Sequence, residues 1–171
     1  VDPAVHVTGQ PVVFNIVADP VGAQLVSDLA GSGRNLTGAS HAVPRETQYR
    51  TLRTALPWQR LGVIYHAGEV NARLAVDDLA RRVERDGREL VRAPVLIEGG
   101  DLDLRLELAI RSLAEAGAEV IYLPSDSLVI ANARQISRQA GWYGLPTFAA
   151  TEQPVRSGGA TMGLASAYYS V

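Results

Sequence analysis

Pro11-Val-Val-Phe-Asn-Ile-Val-Ala-Asp19-Pro20-Val-Gly22-Ala-Gln-Leu-Val26 packs a buried strand, a polar turn and a helix start into one short stretch. Val12 to Val17 is brief, apolar and rich in β-branched residues, which suits a strand covered on both faces. Asp19 stands directly before Pro20, whose fixed φ and missing N–H fit the first turn of a helix. Asp19 is therefore expected to cap a helix running from about Pro20 to Leu29, and the same geometry would let it line a ligand cleft. Gly31-Ser-Gly33 is the expected stop of that helix; it lacks the Lys-Ser/Thr of a nucleotide cradle.

Outward from this unit, strand and helix signals alternate along the chain. Asn35 to Ser40 reads as a second strand and Pro44 to Leu56 as a helix halted at Pro57. Leu61 to Tyr65 is a buried strand. The helix from about Glu69 to Asp86 carries Val70, Leu74, Leu79 and Val83 as its apolar stripe and stops at Gly87. Glu89 to Ile97 is strand-like, and Asp101 caps a helix to about Ala116 with Leu102, Leu106, Ile110 and Leu113 inward. Glu119 to Leu123 is a strand, followed by one helix to about Gly141 with Leu128, Ile130, Ala133 and Ile136 inward. Leu145 to Ala149, Thr151 to Ser157 and Ala160 to Ala165 read as strand, short helix and strand. Such alternation predicts an α/β fold, a three-layer parallel sheet with helices on both faces.

The 171 residues, 47% of them hydrophobic and 20% charged, describe a globular chain with room for one well-buried domain. All 16 basic residues are Arg, spread over several helices, and the formal net charge is −2, so nucleic-acid binding is not expected. There is no cysteine, which removes thiol catalysis, disulfides and Cys-based metal sites. His6, His41 and His66 have no ligand spacing around them, and no structural metal or cofactor is expected. No apolar run approaches the roughly 20 residues that span a bilayer. The chain lacks an initiating Met and begins almost directly on a buried-type strand, so it reads as a segment of something longer, with residues 1–10 a leader or remnant in which no basic region precedes a long apolar core.

Three strand ends carry small or polar residues: Tyr65-His66-Ala67-Gly68-Glu69, Pro124-Ser125-Asp126-Ser127 and Ala149-Ala150-Thr151-Glu152. In a parallel sheet with right-handed crossovers these turns gather on one edge, where ligands bind. Asp126 is both a candidate ligand residue and a candidate N-cap. No Gly-x-Ser-x-Gly elbow flanks Ser125 or Ser127, and no Gly-x-Gly-x-x-Gly follows a strand, so no catalytic residue is assigned. Trp58, Trp142 and Tyr143 lie at helix ends, as covers of the core rim or, if clustered, as a self-association patch.

The segments Pro11-Val-Val-Phe14, Ala18-Asp19-Pro20, Gly33-Arg-Asn35-Leu-Thr37-Gly38, Leu61 to Tyr65 with Gly68, Glu69 and Asn71, Ile121-Tyr-Leu-Pro124-Ser-Asp126, and Pro146-Thr-Phe148 with Glu152, Gly159 and Tyr168-Tyr169 resemble, in order, the ABC-transporter substrate-binding family that includes binders of aromatic amino acids. The resemblance implies a type I periplasmic-binding fold, two lobes enclosing a small molecule. It assigns residues 11–42 to the end of lobe one and the crossing, and residues 43–171 to lobe two. It implies Asp19 and Thr37 as ligand-facing residues of the first lobe, and Tyr65, Asn71, Ser125, Asp126 and Glu152 of the second. His66-Ala67, Ser127, Thr151 and Ala167 depart from the family's Asn-Pro, Asn, Asp and Asp. Implied partners are a small-molecule ligand and the membrane permease of an ABC importer, in a periplasmic or extracytoplasmic setting. A homodimer through the truncated lobe is a further expectation, and a ligand-sensing input domain of a signalling protein is the alternative function.

Overall fold

The computed structural model describes residues 10–17, 20–21, 24–28, 30–33, 35–40, 43–97 and 99–166, and divides the chain into two compact units, Val1–Ala42 and Val43–Val171. In the first unit β1 (Val12–Val17) pairs in parallel with β2 (Leu36–Ser40), starting at Val12 opposite Leu36, with a register shift between Asn15 and Val17. Gly38 lies so close to the Phe14 carbonyl and ring that a Cβ there would clash with both.

The described residues of the span expected to be a helix, Pro20 to Leu29, form turns and bends instead. The N–H groups of Leu25 and Val26 both reach the Pro20 carbonyl, Gln24 takes φ of +57°, and Asp28 bridges Gly31 antiparallel. Gly22 in the first turn and Ser27-Asp28 near the end weaken a ten-residue helix, a length at which isolated helices are marginal. Asp19, whose capping role was tied to that helix, lies outside the described residues.

The second unit contains α1 (Arg45–Ala55), β3 (Arg60–His66), α2 (Val70–Arg85), β4 (Glu89–Val95), α3 (Leu102–Glu115), β5 (Val120–Leu123), α4 (Ser127–Ala131), α5 (Ala133–Trp142), β6 (Thr147–Ala149), α6 (Glu152–Arg156) and β7 (Met162–Gly163). Its five strands are all parallel, in the order β4-β3-β5-β6-β7. Alternate residues of the central strands serve opposite faces. Leu61, Val63, Tyr65 and Tyr122 meet Tyr49 and Leu52 of α1 and Val76, Leu79 and Val83 of α2. Ile64, Ile121 and Leu123 meet Leu106, Ile110 and Leu113 of α3, Val129 of α4 and Ile136 of α5. This is the expected three-layer arrangement. Each fully buried aliphatic side chain contributes about 1.5–3 kcal/mol of transfer free energy.

Asp101 caps α3 as expected, accepting the N–H groups of Asp103 and Leu104 through its carboxylate. The stripe of α2 differs from expectation: Ala72, Val76, Leu79 and Val83 are buried, while Val70 and Leu74 are exposed. Steps of four, three and four keep one face, whereas the five-residue step from Leu74 to Leu79 leaves it. β4 ends at Val95, leaving Leu96 and Ile97 exposed. As an edge strand it presents exposed Arg92 and Pro94. The single helix expected after β5 is broken at Asn132, whose backbone N–H and side-chain Nδ2 both donate to the Leu128 carbonyl. Trp58 is buried rather than part of a surface patch, edge-on to Tyr49 and under the Arg88 guanidinium at 4.4 Å; Trp142 is exposed.

Candidate functional site

From β3 the chain passes to β4 on one side and then returns to β5 on the other, so the strand order reverses between β3 and β5. At such a reversal the crossover connections leave in opposite directions and open a crevice at the C-terminal edge. Here the turns that flank it are tied to one another. The carboxylate of Asp126, fully buried, accepts the backbone N–H of His66 at 2.7 Å through one oxygen and the N–H of Val129 at 3.0 Å through the other. A second tie lies outside the first: Ser127 Oγ donates to Glu69 Oε2 at 2.8 Å. The β3 turn is also fixed to β4, since Ala67 N–H donates to the Val95 carbonyl at 2.8 Å, and Arg73 Nη1 donates to the Ala67 carbonyl at 2.6 Å.

These bonds give the turn after β5 a defined form. Pro124 and Asp126 make a tight bend, with the Asp126 N–H on the Pro124 carbonyl at 2.9 Å, and Asp126 then caps α4. Ser125, between them, is exposed at the edge. Asp126 is thus an internal strut rather than a free carboxylate, because both oxygens bond to main-chain donors and the side chain is fully buried.

The remaining expected site residues fall as follows. Tyr65 is the penultimate residue of β3, on the α1/α2 face, and is buried to 8% exposure. Asn71 is exposed in the first turn of α2, a helix whose N-cap residue Glu69 makes no side-chain capping bond, leaving the first N–H groups of α2 without that partner. Glu152 opens α6 and pairs with Arg156 at 2.6 Å. The turn bearing it is joined to β5 through the Ala150 N–H on the Leu123 carbonyl at 2.9 Å. Tyr65, Asn71, Ser125, Asp126 and Glu152 therefore all belong to the C-terminal edge of one sheet. Thr37 is exposed on β2 in the first unit.

Five residues at or behind this edge have roles that residue type does not report. His66 contributes its backbone, which no side-chain pattern reports. Glu69 and Ser127 pair across two turns distant in sequence. Gln48 sits four residues before Leu52 in α1, a spacing that places it on the buried face, and it is only 4% exposed. Thr151 has a buried hydroxyl with no hydrogen-bond partner in the described structure.

A depression of about 350 Å³ lies at the opposite, N-terminal edge, lined by Gln59, Arg60, Arg88, Glu89 and Glu119 among others. Its charges are occupied with one another and with the backbone. Arg60 Nε donates to Glu89 at 2.5 Å, and Glu119 accepts the N–H groups of Gln59 and Arg60, which hold its carboxyl below the usual range. Among the described residues no group of three or more His, Cys, Asp or Glu is placed to hold a metal ion, and no helix is long and apolar enough to cross a membrane.

Comparison with known proteins converges on one family. Residues 4–170 match the family described as ABC transporter substrate binding protein. A curated relative, the tyrosine-binding protein of Clostridioides difficile strain R20291, is 30% identical over 149 residues, covering 86% of this chain and 41% of the relative. Among solved structures, a conserved domain protein from Vibrio cholerae O1 biovar El Tor is 32% identical with a TM-score of 0.71, over 89% of this chain and 50% of that one. The ligand-free, open structure of a substrate-binding protein with adhesive properties from Clostridium difficile is 29% identical with a TM-score of 0.73, over 91% and 51%. A domain from Streptococcus pneumoniae in complex with L-Trp shares the fold, at a TM-score of 0.69 and 21% identity, over 90% and 52%. The chain spans about half the length of these solved structures, and less than half of the curated relative.

Proposed function

The chain belongs to the ABC transporter substrate-binding protein family, and from that premise we propose that it is part of the solute-binding component of an importer, binding a small polar metabolite, foremost an amino acid, and catalysing no reaction. Residues 43–171 would form one lobe of a two-lobed clamp, and residues 11–42 the end of the other. The permease of the importer is the partner, and the setting is periplasmic or extracytoplasmic.

The observation that carries this reading is the meeting of three polar turns at the C-terminal edge of one parallel sheet, with Asp126 locking two of them while Ser125 stays exposed. Ser125 and the first N–H groups of α2 suit a carboxylate. Asn71 offers amide donors and an acceptor, Glu152 a carboxylate that an ammonium group would share with Arg156, and the largely buried Tyr65 only its exposed ring edge to a flat side chain. Asp126 supports these contacts by holding the turns rather than by touching solute. Thr37 and Asp19 would contribute from the first lobe. A relative described as tyrosine-binding supports an amino-acid ligand.

The test is a thermal-shift screen of the intact protein against free amino acids, L-tyrosine included, and other small polar metabolites. Stabilisation by an amino acid, reduced in Ser125→Ala, is the expected result. If no small metabolite shifts the melting temperature, the solute-binding reading fails; if only an unrelated class does so, the ligand assignment fails.

A further inference from the structure

On the α1 side of the sheet, buried polar groups converge on one carboxamide. Gln48 Nε2 donates to the carbonyl oxygens of Ala150 at 2.9 Å and Leu164 at 3.3 Å, and its Oε1 accepts the Tyr122 hydroxyl at 2.9 Å. Tyr122 belongs to β5, Ala150 follows β6 and Leu164 follows β7. A single side chain from the first helix of the second unit therefore reaches three successive strands, including its last.

The local structure gives this contact leverage. β6 has three residues and β7 two, so their ladders supply few hydrogen bonds. Beyond the ladder, the Leu164 N–H bonds to the Ala149 carbonyl at 3.0 Å and the Ala150 N–H to the Leu123 carbonyl. Tyr122 is held in turn by stacking on Phe148 at 6.1 Å, which fixes where its hydroxyl points. Both amide hydrogens of Gln48 are used, and its burial excludes water as a substitute partner.

We propose that Gln48 is a positioning residue of the binding edge: its carboxamide pins the Ala150–Glu152 turn and the end of β7 to α1, and so sets where that turn meets a solute. The second half of this inference rests on the solute-binding reading above; the pinning itself does not.

Hydrogen exchange on the intact, ligand-free protein tests the pinning. In Gln48→Met, which keeps length and removes the hydrogen bonds, the amides of Ala150 and Leu164 should exchange roughly tenfold faster while those of Val63 and Val91 are unchanged. Tyr122→Phe, which deletes one hydroxyl and retains the core, should raise exchange at the same two amides by a smaller factor. A uniform rise across the sheet, or none at these two positions in either variant, overturns the proposal. Calorimetric titration with L-tyrosine and the other amino acids then tests the consequence. A solute bound by the wild type should bind Gln48→Met at least about fivefold more weakly, and equal affinity overturns the positioning role. Should the wild type bind no solute, the functional reading is what fails, and the exchange data alone decide whether Gln48 pins the turn.

Discussion

The carboxylate of Asp126 lies 2.7 Å from the backbone nitrogen of His66, joining the ends of β5 and β3 across the point where the strand order reverses. A buried carboxylate with two main-chain donors is at once a cap and a crosslink. Removing it exposes two orphaned N–H groups in a site that water does not reach. Asp126→Ala should lower unfolding free energy by about 2–4 kcal/mol, measured by urea denaturation. Asp126→Asn, which retains one acceptor oxygen, should lose less. A loss under about 0.5 kcal/mol in Asp126→Ala, the level of an ordinary surface substitution, would show that the tie is not structural.

Ser125 offers the opposite case. It is exposed and its neighbours are fixed, so Ser125→Ala should leave stability within about 0.5 kcal/mol of wild type. It should weaken solute binding by roughly fivefold, the effect of one lost hydrogen bond. Isothermal titration on the same preparations separates the two quantities.

Thr151 places a hydroxyl in the interior without a partner. Thr151→Val keeps the shape and removes the unpaired group, so it should stabilise the protein by about 1 kcal/mol. A raised midpoint in denaturant with unchanged slope is the expected reading. Destabilisation would mean that the hydroxyl has an acceptor in solution.

Among the described residues, two carboxylates held low in the fold contribute to the response to acid. Asp86 is held below the usual carboxylate range by hydrogen bonds from Arg53 and Tyr49, and Glu119 by the N–H groups of Arg60 and Gln59. A lowered folded pKa contributes stability above the unfolded value and loses it as pH falls through the folded one. Stability should therefore drop below about pH 4, and Asp86→Asn should flatten that drop. At the alkaline end, burial and the Asp86 hydrogen bond push Tyr49 up to about 12. Its contribution is intact below the ordinary tyrosine value near 10 and declines as pH rises toward 12. Denaturation midpoints measured across pH, with Tyr49→Phe as control, check both limbs.

The architecture of the second unit was legible because its helices and strands keep their own periods. Leu106, Ile110 and Leu113 mark α3, and the apolar run through Leu61–Tyr65 marks a strand buried on both faces. The convergence of the three turns then follows from chain direction alone. What sequence could not report is how a residue divides between two roles that use one geometry. Asp126 sits where either a ligand or a helix N-terminus could claim it, and only the His66 N–H at 2.7 Å shows how it is occupied. Gln48 was hidden for a related reason. A polar residue on an apolar helix face acquires its meaning from Ala150 and Leu164, about a hundred residues away. Around Pro20, the short-range turn bonds of Leu25 and Val26 to the Pro20 carbonyl prevail over the helix-start signal.

The outermost strand β4 carries Arg92 and Pro94, both exposed. Proline interrupts the row of N–H groups that an incoming chain would need in order to zip onto the rim, and the guanidinium opposes close approach of an apolar ribbon. Strand addition along this rim is thereby disfavoured, and replacing Pro94 with valine would restore a backbone donor to it.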